Sequence, residues 1–310
     1  PKGANWADPM NIIDATRYQR DGRGIMTPGY TQIFILPSDG GTPRQLTEGN
    51  FDSGGLLSWA ADSSHILFSS NRHKKWELES SEADIFAVDI ADGNLTQITN
   101  EPGSERNATY SPNGKKIAFT KQSNEKVMFK NTYLYVMDAD GSNETNLTLE
   151  LDRPAGSIKW GNDNKHIYFQ FDDQAVRAVG KTDLNGNMEI AAMGLGGTSL
   201  GRPYLSGGYN VGKSGLLAFT YGTDQRPANI AIMQDDSRKM LTSLNEDFLS
   251  HKDLGEVHEI NYTSSIDGTP SQGWYLTPPN FDPEKKYPLI LEIHGGPSLA
   301  YGPGFSAEFQ

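Results

Sequence analysis

The chain has 310 residues, a formal net charge of −12 and a pI near 4.9. This acidic balance excludes a nucleic-acid partner, because binding to phosphates requires a basic surface. The sequence has no cysteine, so it can form neither disulfides nor thiolate metal sites, and no apolar run approaches the roughly 18 residues of a membrane span. The lack of cysteine favours a bacterial protein but leaves the compartment open between periplasm and cytoplasm, with the periplasm slightly favoured.

Four apolar segments recur at a spacing of about fifty residues, the length of a propeller blade. Their shared positions are phenylalanines, in HILFSS, KKIAFT, HIYFQ and LLAFT: Phe68, Phe119, Phe169 and Phe219. A second series runs in step with the first, in QIFILPSDGGTPRQLT, DIFAVDIADGNLTQIT and YLYVMDADGSNETNLT, and its next copy, at 174–179, is degenerate. Asp-Gly and Ser-Pro-Asn-Gly turns separate the strands. Four short strands per unit predict a mainly β fold, a β-propeller of four-stranded blades.

Residues 1–252 hold about five of these blades. The sequence enters at Pro1 in the middle of the blade pattern. We therefore expect an incomplete propeller, with further blades upstream and seven or eight in the full protein, which is within the usual range of about 4–8.

The repeat is lost after residue 252, and residues 253–310 predict the beginning of a second domain. Two strands joined by an Asp267-Gly268 turn form a hairpin, and 287–293 is a nearly continuous apolar run, typical of a buried central strand. This run ends in His294-Gly295-Gly296-Pro297. Two glycines permit a sharp turn that exposes backbone N–H groups to an oxyanion.

The chain resembles the prolyl oligopeptidase family of serine peptidases, in particular its acylaminoacyl-peptidase and dipeptidyl-peptidase-like branch. The blade repeats, SPNGKKIAF and IDGTPSQGWYLTPPNFDPEKKYPLILEIHGGP carry the resemblance. It implies a propeller that gates short peptide substrates by size, above an α/β-hydrolase domain, with no cofactor or metal.

By the same resemblance, Gly296, beside Gly295, donates the oxyanion N–H, and His294 shapes the loop. The Ser-Asp-His triad is expected downstream of Gln310, in the chain's own catalytic domain. We therefore expect these 310 residues to be inactive alone.

Ser199 lies in Gly197-Thr198-Ser199-Leu200-Gly201, which matches the G-x-S-x-G pattern of a hydrolase nucleophile. A nucleophile elbow needs a strand before the serine and a helix after it, and Pro203 opposes the helix. The match also precedes the His-Gly-Gly motif, whereas the elbow follows that motif in the fold. We predict that Ser199 belongs to a glycine-rich turn of a blade.

Two charged sets are candidates for binding a peptide terminus. The carboxylates of ELESSEAD would hold an amino group by charge-assisted hydrogen bonds, and the arginines around the DGRG turn would hold a carboxylate. These sets are Glu77, Glu79 and Glu82, and Arg17, Arg20 and Arg23. Both sets of charged residues are also consistent with ordinary solvent-exposed loops that bind no ligand.

The alternative function is a non-catalytic, protein-binding propeller, similar to those of the Tol system. Such a protein has no need to continue into PLILEIHGGP, so the peptidase interpretation is preferred. The sequence leaves homo-oligomerisation and cleavage specificity open.

Overall fold

The computed structural model describes residues 3, 10, 12–127, 129–234, 237–296 and 299–310. Nearly all of its regular structure is antiparallel sheet. The exceptions among these residues are a 3₁₀ turn at Leu149–Leu151 and one short helix, α1, at Glu246–Leu249. None of the described helices has the length and apolarity needed to cross a membrane.

The first strands form two small two-stranded sheets. They are β1 (Gln19–Arg20) with β2 (Gly24–Ile25), and β3 (Phe34–Ile35) with β4 (Arg44–Gln45).

Two four-stranded sheets follow, each an antiparallel meander in chain order. The first contains β5 (Ser53–Trp59), β6 (His65–Ser70), β7 (Asp84–Asp89) and β8 (Leu95–Gln97). The second contains β9 (Ser104–Tyr110), β10 (Lys116–Gln122), β11 (Tyr133–Asp138) and β12 (Thr145–Asn146). Each of these sheets has the four antiparallel strands predicted for a propeller blade.

Two further meanders are joined into one eight-stranded sheet. They contain β13 (Gly156–Trp160), β14 (His166–Asp173), β15 (Val176–Asp183) and β16 (Met188–Leu195), then β17 (Tyr209–Val211), β18 (Leu217–Tyr221), β19 (Asn229–Gln234) and β20 (Ser237–Met240). A single residue pair, Leu195 with Tyr221, links the two meanders. Strand β15 occupies the degenerate copy of the repeat, so the blade pattern continues where the sequence signal is weak.

The hydrophobic core lies between successive sheets. In β6, Ile66 and Phe68 pack towards the preceding sheet, whereas Leu67 packs towards the following one. Both faces of the strand are therefore buried, which explains its continuous apolar sequence. The recurring phenylalanines occupy equivalent buried places, and Phe68 stacks on Phe86 of the adjacent strand, with ring centroids 5.7 Å apart.

A threonine after the fourth strand of a unit recurs as a hydrogen-bond acceptor for the third strand. Thr99 Oγ1 accepts the N–H of Ile85 at 2.9 Å, and Thr148 Oγ1 accepts the N–H of Leu134 at 2.9 Å. The same contact joins Thr47 to Ile33 and Thr242 to Ile230. In the first three pairs the donor is buried and would otherwise lack a partner, and this accounts for the QLT, QIT and NLT ends of the units, whereas Ile230, opposite the MLT end, is exposed.

The Asp-Gly hairpin of one sheet packs on the preceding sheet. Gly141 has φ +88°, and a Cβ at this position would lie 2.9 Å from the carbonyl oxygen of Ile98. Glycine is needed here both for the backbone conformation and for the close approach.

After α1 the four-stranded meanders end and a separate hairpin follows. Strands β21 (Glu256–Thr263) and β22 (Pro270–Thr277) pair only with each other among the described residues. The Asp267-Gly268 turn connects them, as the sequence predicts.

The prediction of a buried strand at 287–293 is wrong for this structure. The segment is irregular and carries four largely exposed apolar side chains, Leu289, Ile290, Leu291 and Ile293, with exposures of 75–91%. A central strand is stabilised by hydrogen bonds to strands on both sides and by cover on both faces. No described residues supply those neighbours.

Candidate functional site

The candidate site lies on one end of the sheets, which we call the loop face. In an antiparallel meander, the connection between the second and third strands and the connection to the next sheet emerge at the same end. A parallel bridge between Ala83 and Ser104 shows that neighbouring sheets run in the same direction. The loop face is thus defined by the connections 71–83, 123–132, 174–175, 196–208 and 222–228.

Residues 299–310, the docking segment, bind the loop face of the last two meanders. Backbone N–H groups of Gly302 and Ala307 donate to the carbonyls of Pro203 and Leu200 at 2.9 and 2.8 Å. Phe305 N–H donates to the Thr223 carbonyl at 2.8 Å, and the Phe305 side chain is buried. The segment after the His-Gly-Gly motif is therefore anchored to propeller loops.

The His-Gly-Gly turn lies beside this anchored segment. Gly295 N–H donates to Tyr204 Oη at 3.3 Å, and the His294 ring meets the Tyr301 ring edge to face, with centroids 5.5 Å apart. Gly296 is exposed and has φ +149°. Its N–H has no acceptor among the described residues, so it is free to donate to a ligand.

Ion pairs surround the turn. Arg202 Nη1 lies 3.3 Å from Glu292 Oε1, and Arg202 Nε lies 3.5 Å from Glu308 Oε2. The pKa of Arg202 is raised, chiefly by the Glu292 carboxylate. Because these side chains are substantially exposed, each pair contributes little stability, and their main effect is on position.

Ser199 lies in the irregular connection 196–208, which contains no helix. Its Oγ donates to the Arg202 carbonyl at 2.9 Å, and its N–H donates to Ser206 Oγ at 3.2 Å. No histidine or carboxylate of the described residues forms a hydrogen bond with the hydroxyl, so the structure does not place a general base against it. The serine lines a cavity of about 270 Å³ together with Tyr204 and Phe305.

A wider cleft of about 680 Å³ opens on the loop face of the second four-stranded sheet. Phe129, Lys130 and Arg153 contribute to its wall. Both cations already have partners, since Lys130 Nζ donates to the Ser123 carbonyl at 2.8 Å and Arg153 pairs with Asp173 at 3.0 Å. The cleft therefore offers space and mixed polarity, but neither of its cations is left without a partner.

The three glutamate candidates lie in or beside the connection 71–83 and differ in availability. Glu77 is exposed, and its Oε2 accepts a hydrogen bond from Thr16 Oγ1 at 3.0 Å. Glu79 is partly exposed, whereas Glu82 is only 7% exposed and accepts the Gly103 N–H at 2.7 Å. Glu82 thus joins one sheet to the next.

Two carboxylates that the sequence interpretation did not select lie beside Glu82. Asp84 is 2% exposed, 3.1 Å from His73 Nε2, and accepts a hydrogen bond from Gln97 at 3.1 Å. Burial, followed by the charges of Glu105 and Glu82, raises the pKa of Asp84 to about 6, against the opposing effect of His73. The sequence feature that could have identified Asp84 as a buried carboxylate is its place at the start of the apolar third strand, β7.

Glu105 is fully buried on β9 and pairs with Lys121 Nζ at 3.0 Å. Lys121 also pairs with Glu144 at 2.9 Å. Burial and pairing of this kind indicate a structural contact within the second sheet.

The arginine candidates are exposed. Arg17, Arg20 and Arg23 have no ion-pair partner among the described residues, and Arg20 belongs to β1. Thr16 brings this segment against Glu77, so the structure places Arg17 near the acidic connection. No hydrogen bond or ion pair in the described part of the chain joins this region to the His-Gly-Gly turn.

Comparison with known proteins identifies relatives of the chain. A family model described as the dipeptidyl peptidase IV (DPP IV) N-terminal region matches residues 5–128 and 60–183. Together the two matches span more than half of the chain, and they are offset by about one blade repeat.

Two curated relatives are peptidases by name. The uncharacterised peptidase YuxL of Bacillus subtilis is 27% identical over 96% of this chain and 46% of its own length. Dipeptidyl-peptidase 5 of Aspergillus fumigatus is 27% identical over 67% of this chain and 29% of its own length. The chain thus spans about half of the first protein and under a third of the second.

The structure is also similar to a solved acylaminoacyl peptidase in complex with a peptidyl chloromethyl ketone. The TM-score is 0.75 at 18% identity, over 98% of this chain and 45% of that one. At this identity the likeness shows the fold alone. It confirms the prediction of a mainly β, propeller-type architecture.

Proposed function

Because the chain belongs to the prolyl oligopeptidase family of peptidases, through its dipeptidyl peptidase IV N-terminal region, we propose that it is the propeller portion of a serine peptidase acting on short peptides. The observation that carries the proposal is the His-Gly-Gly turn. Among the described residues its Gly296 N–H has no acceptor, whereas its Gly295 N–H donates to Tyr204 Oη.

In the proposed reaction, a serine supplied beyond Gln310 attacks the peptide carbonyl. The oxygen of that carbonyl becomes an oxyanion, and a backbone N–H placed at its position stabilises the transition state more than the ground state. Gly296 is the donor that this chain supplies. The second donor and the proton-transferring residues come from the downstream domain.

The exposed apolar run supports the proposed downstream domain. Leu289, Ile290, Leu291 and Ile293 immediately precede the turn and are largely exposed. Added strands on both sides would bury them and satisfy the backbone, as for the central strand of an α/β sheet. Such pairing would also fix the strand from which the oxyanion turn emerges.

The loop face suits the proposed gating role. The docking segment holds the turn against it, and the clefts of about 270 and 680 Å³ open on it. A substrate approaching Gly296 would have to fit between the loop face and the downstream domain. We propose that this restricts access to short peptides.

An active-site-directed fluorophosphonate probe tests the proposal. We expect it to label the complete polypeptide on a serine beyond Gln310 and to leave the 310-residue chain unlabelled. Ser199→Ala in the complete polypeptide should not change the labelling. Labelling of Ser199, or an unlabelled complete polypeptide, would contradict the proposal, and the second result would favour the non-catalytic propeller.

Gly296→Pro tests the oxyanion role. The substitution removes the N–H, and we expect kcat for peptide hydrolysis to fall by about 10²–10³. Gly296→Ala is the control, because it strains the positive φ but keeps the donor, so it should lose much less. Equal losses in the two variants would assign the effect to backbone strain instead.

A further inference from the structure

The geometry points to Tyr204 as a positioning residue for the oxyanion turn. We propose that its hydroxyl, by accepting the Gly295 N–H at 3.3 Å, fixes the orientation in which the Gly296 N–H faces the reacting carbonyl. This inference rests on the proposed peptidase function. It gives the glycine-rich connection 196–208 a role in positioning the turn, although this connection is not a nucleophile elbow.

Tyr204 is itself held firmly. Its ring meets the Tyr301 ring edge to face, with centroids 4.7 Å apart and an interplanar angle of 68°. The two residues also form an isolated antiparallel bridge, and Tyr204 N–H donates to the Arg202 carbonyl at 2.8 Å. Backbone and side chain therefore both limit where the hydroxyl can point.

The same connection holds the chain on both sides of the turn. Arg202 pairs with Glu292, two residues before His294, and the Pro203 carbonyl accepts the N–H of Gly302, after the turn. Within the turn, the Tyr204 hydroxyl contacts Gly295 itself. Three consecutive residues, 202–204, thus contact Glu292, Gly295 and Gly302 and tie the chain on both sides of the turn to the propeller.

The hydrogen bond made by the Gly295 N–H affects the orientation of the Gly296 N–H. Neighbouring peptide groups share a backbone, so a hydrogen bond that fixes the Gly295 amide restricts rotation of the peptide that carries the Gly296 N–H. A glycine pair has little intrinsic preference for one conformation. An external acceptor can therefore preorganise the donor before the substrate arrives.

The arrangement also couples the turn to the propeller. Tyr204 belongs to a sheet-to-sheet connection, between β16 and β17. A change in how the adjoining meanders pack would move its hydroxyl and, with it, the oxyanion donor. The proposal thus gives the propeller a direct effect on the chemical step, in addition to restricting substrate size.

Tyr204→Phe in the complete polypeptide tests the proposal, because it removes only the hydroxyl and keeps the ring against Tyr301. We expect kcat to fall about three- to tenfold, as for loss of one neutral hydrogen bond, with KM unchanged. Hydrogen exchange of the amides in 292–296 and 299–301 should become faster. Tyr262→Phe is the matched control, since Tyr262 is an exposed tyrosine of β21, and it should alter neither measurement.

The outcomes separate this proposal from the function on which it rests. If the wild-type polypeptide takes up the fluorophosphonate probe but Tyr204→Phe retains both kcat and slow exchange, the positioning role is overturned and the peptidase function stands. If the wild-type polypeptide neither reacts with the probe nor hydrolyses peptides, the function is overturned, together with the catalytic role of Tyr204. A rise in KM with constant kcat would also overturn the positioning role, because it would indicate substrate binding instead.

Discussion

Asp84→Asn should change how the stability of the protein depends on pH. The Asp84 side chain is buried beside Glu82 and Glu105, with His73 and Gln97 as polar neighbours. Asparagine has nearly the same shape and can still accept the hydrogen bond from Gln97. It cannot ionise, so the substitution removes the titration and leaves most of the packing.

The sign follows from the direction of the pKa shift. Asp84 has an ordinary pKa of 3.8 and a folded-state pKa of about 6, so between these values the folded protein binds more protons than the unfolded chain. The free energy of unfolding therefore falls as the pH rises through this window. Each pH unit within this window changes the free energy of unfolding by about 1.4 kcal/mol, so the total loss across the window is about 3 kcal/mol.

Urea unfolding followed by tryptophan fluorescence measures the effect, since the chain has five tryptophans. We expect the stability of Asp84→Asn, relative to wild type, to rise by about 3 kcal/mol between about pH 4 and pH 7. The comparison cancels the groups that titrate in both proteins.

Asp183→Asn provides a control of opposite sign. Hydrogen bonds, led by that of the Asn187 side chain, lower the pKa of Asp183 to about 2. The stability that Asp183 contributes is present above its ordinary pKa and is lost as the pH falls towards 2. The stability deficit of Asp183→Asn relative to wild type should thus be full above about pH 4 and shrink as the pH falls below that value. Parallel pH profiles for Asp84→Asn and wild type would refute the reasoning for Asp84.

Two further predictions test the contacts that recur between strands and sheets. Thr99→Val leaves the buried Ile85 N–H without its acceptor and should lower the free energy of unfolding by about 1–3 kcal/mol, measured by urea unfolding; an unchanged midpoint would show that another group satisfies the donor. Gly141→Ala places a Cβ 2.9 Å from the Ile98 carbonyl oxygen and should destabilise more than Gly268→Ala, which has a similar positive φ but open space around it. Equal losses would mean that backbone strain alone, and not packing between sheets, is responsible.

The blades were predictable because their determinants are local and repeated. A strand buried on both faces must be apolar throughout, so Phe68 and Phe119 occupy equivalent positions in the second strands of their units. An Asp-Gly turn follows closely on the third strand of each of these units. Where a unit departs from the pattern, as at 174–179, strand pairing with β14 and β16 still determines the structure. The sheet neighbours supplied the information that the local sequence lacked.

The segment 287–293 shows the opposite case. Its apolar sequence is that of a central strand, but the strand conformation of such a segment depends on partners that are distant in sequence. Its side chains are exposed among the described residues. The apolar pattern therefore indicates that the segment requires strand partners and cover on both faces. It could not indicate whether other described residues supply them.

The buried carboxylates were missed for a related reason. ELESSEAD is acidic as a whole, and nothing in its composition separates exposed Glu77 from buried Asp84. The difference arises from strand β7, which carries Asp84 into the sheet, and from Glu105, which approaches from the next sheet. Burial of a charged group is decided by tertiary packing, so the sequence can identify the candidates but not rank them.

Ser199 and Tyr204 show why a motif has to be judged with its spatial neighbours. The G-x-S-x-G match could be rejected from sequence, because Pro203 and the order of the motifs are incompatible with a nucleophile elbow. The contact between Tyr204 and Gly295 spans 91 residues and has no local signature. A connection that fails as a catalytic motif can therefore still act on the reaction, since the groups it positions belong to a different part of the chain.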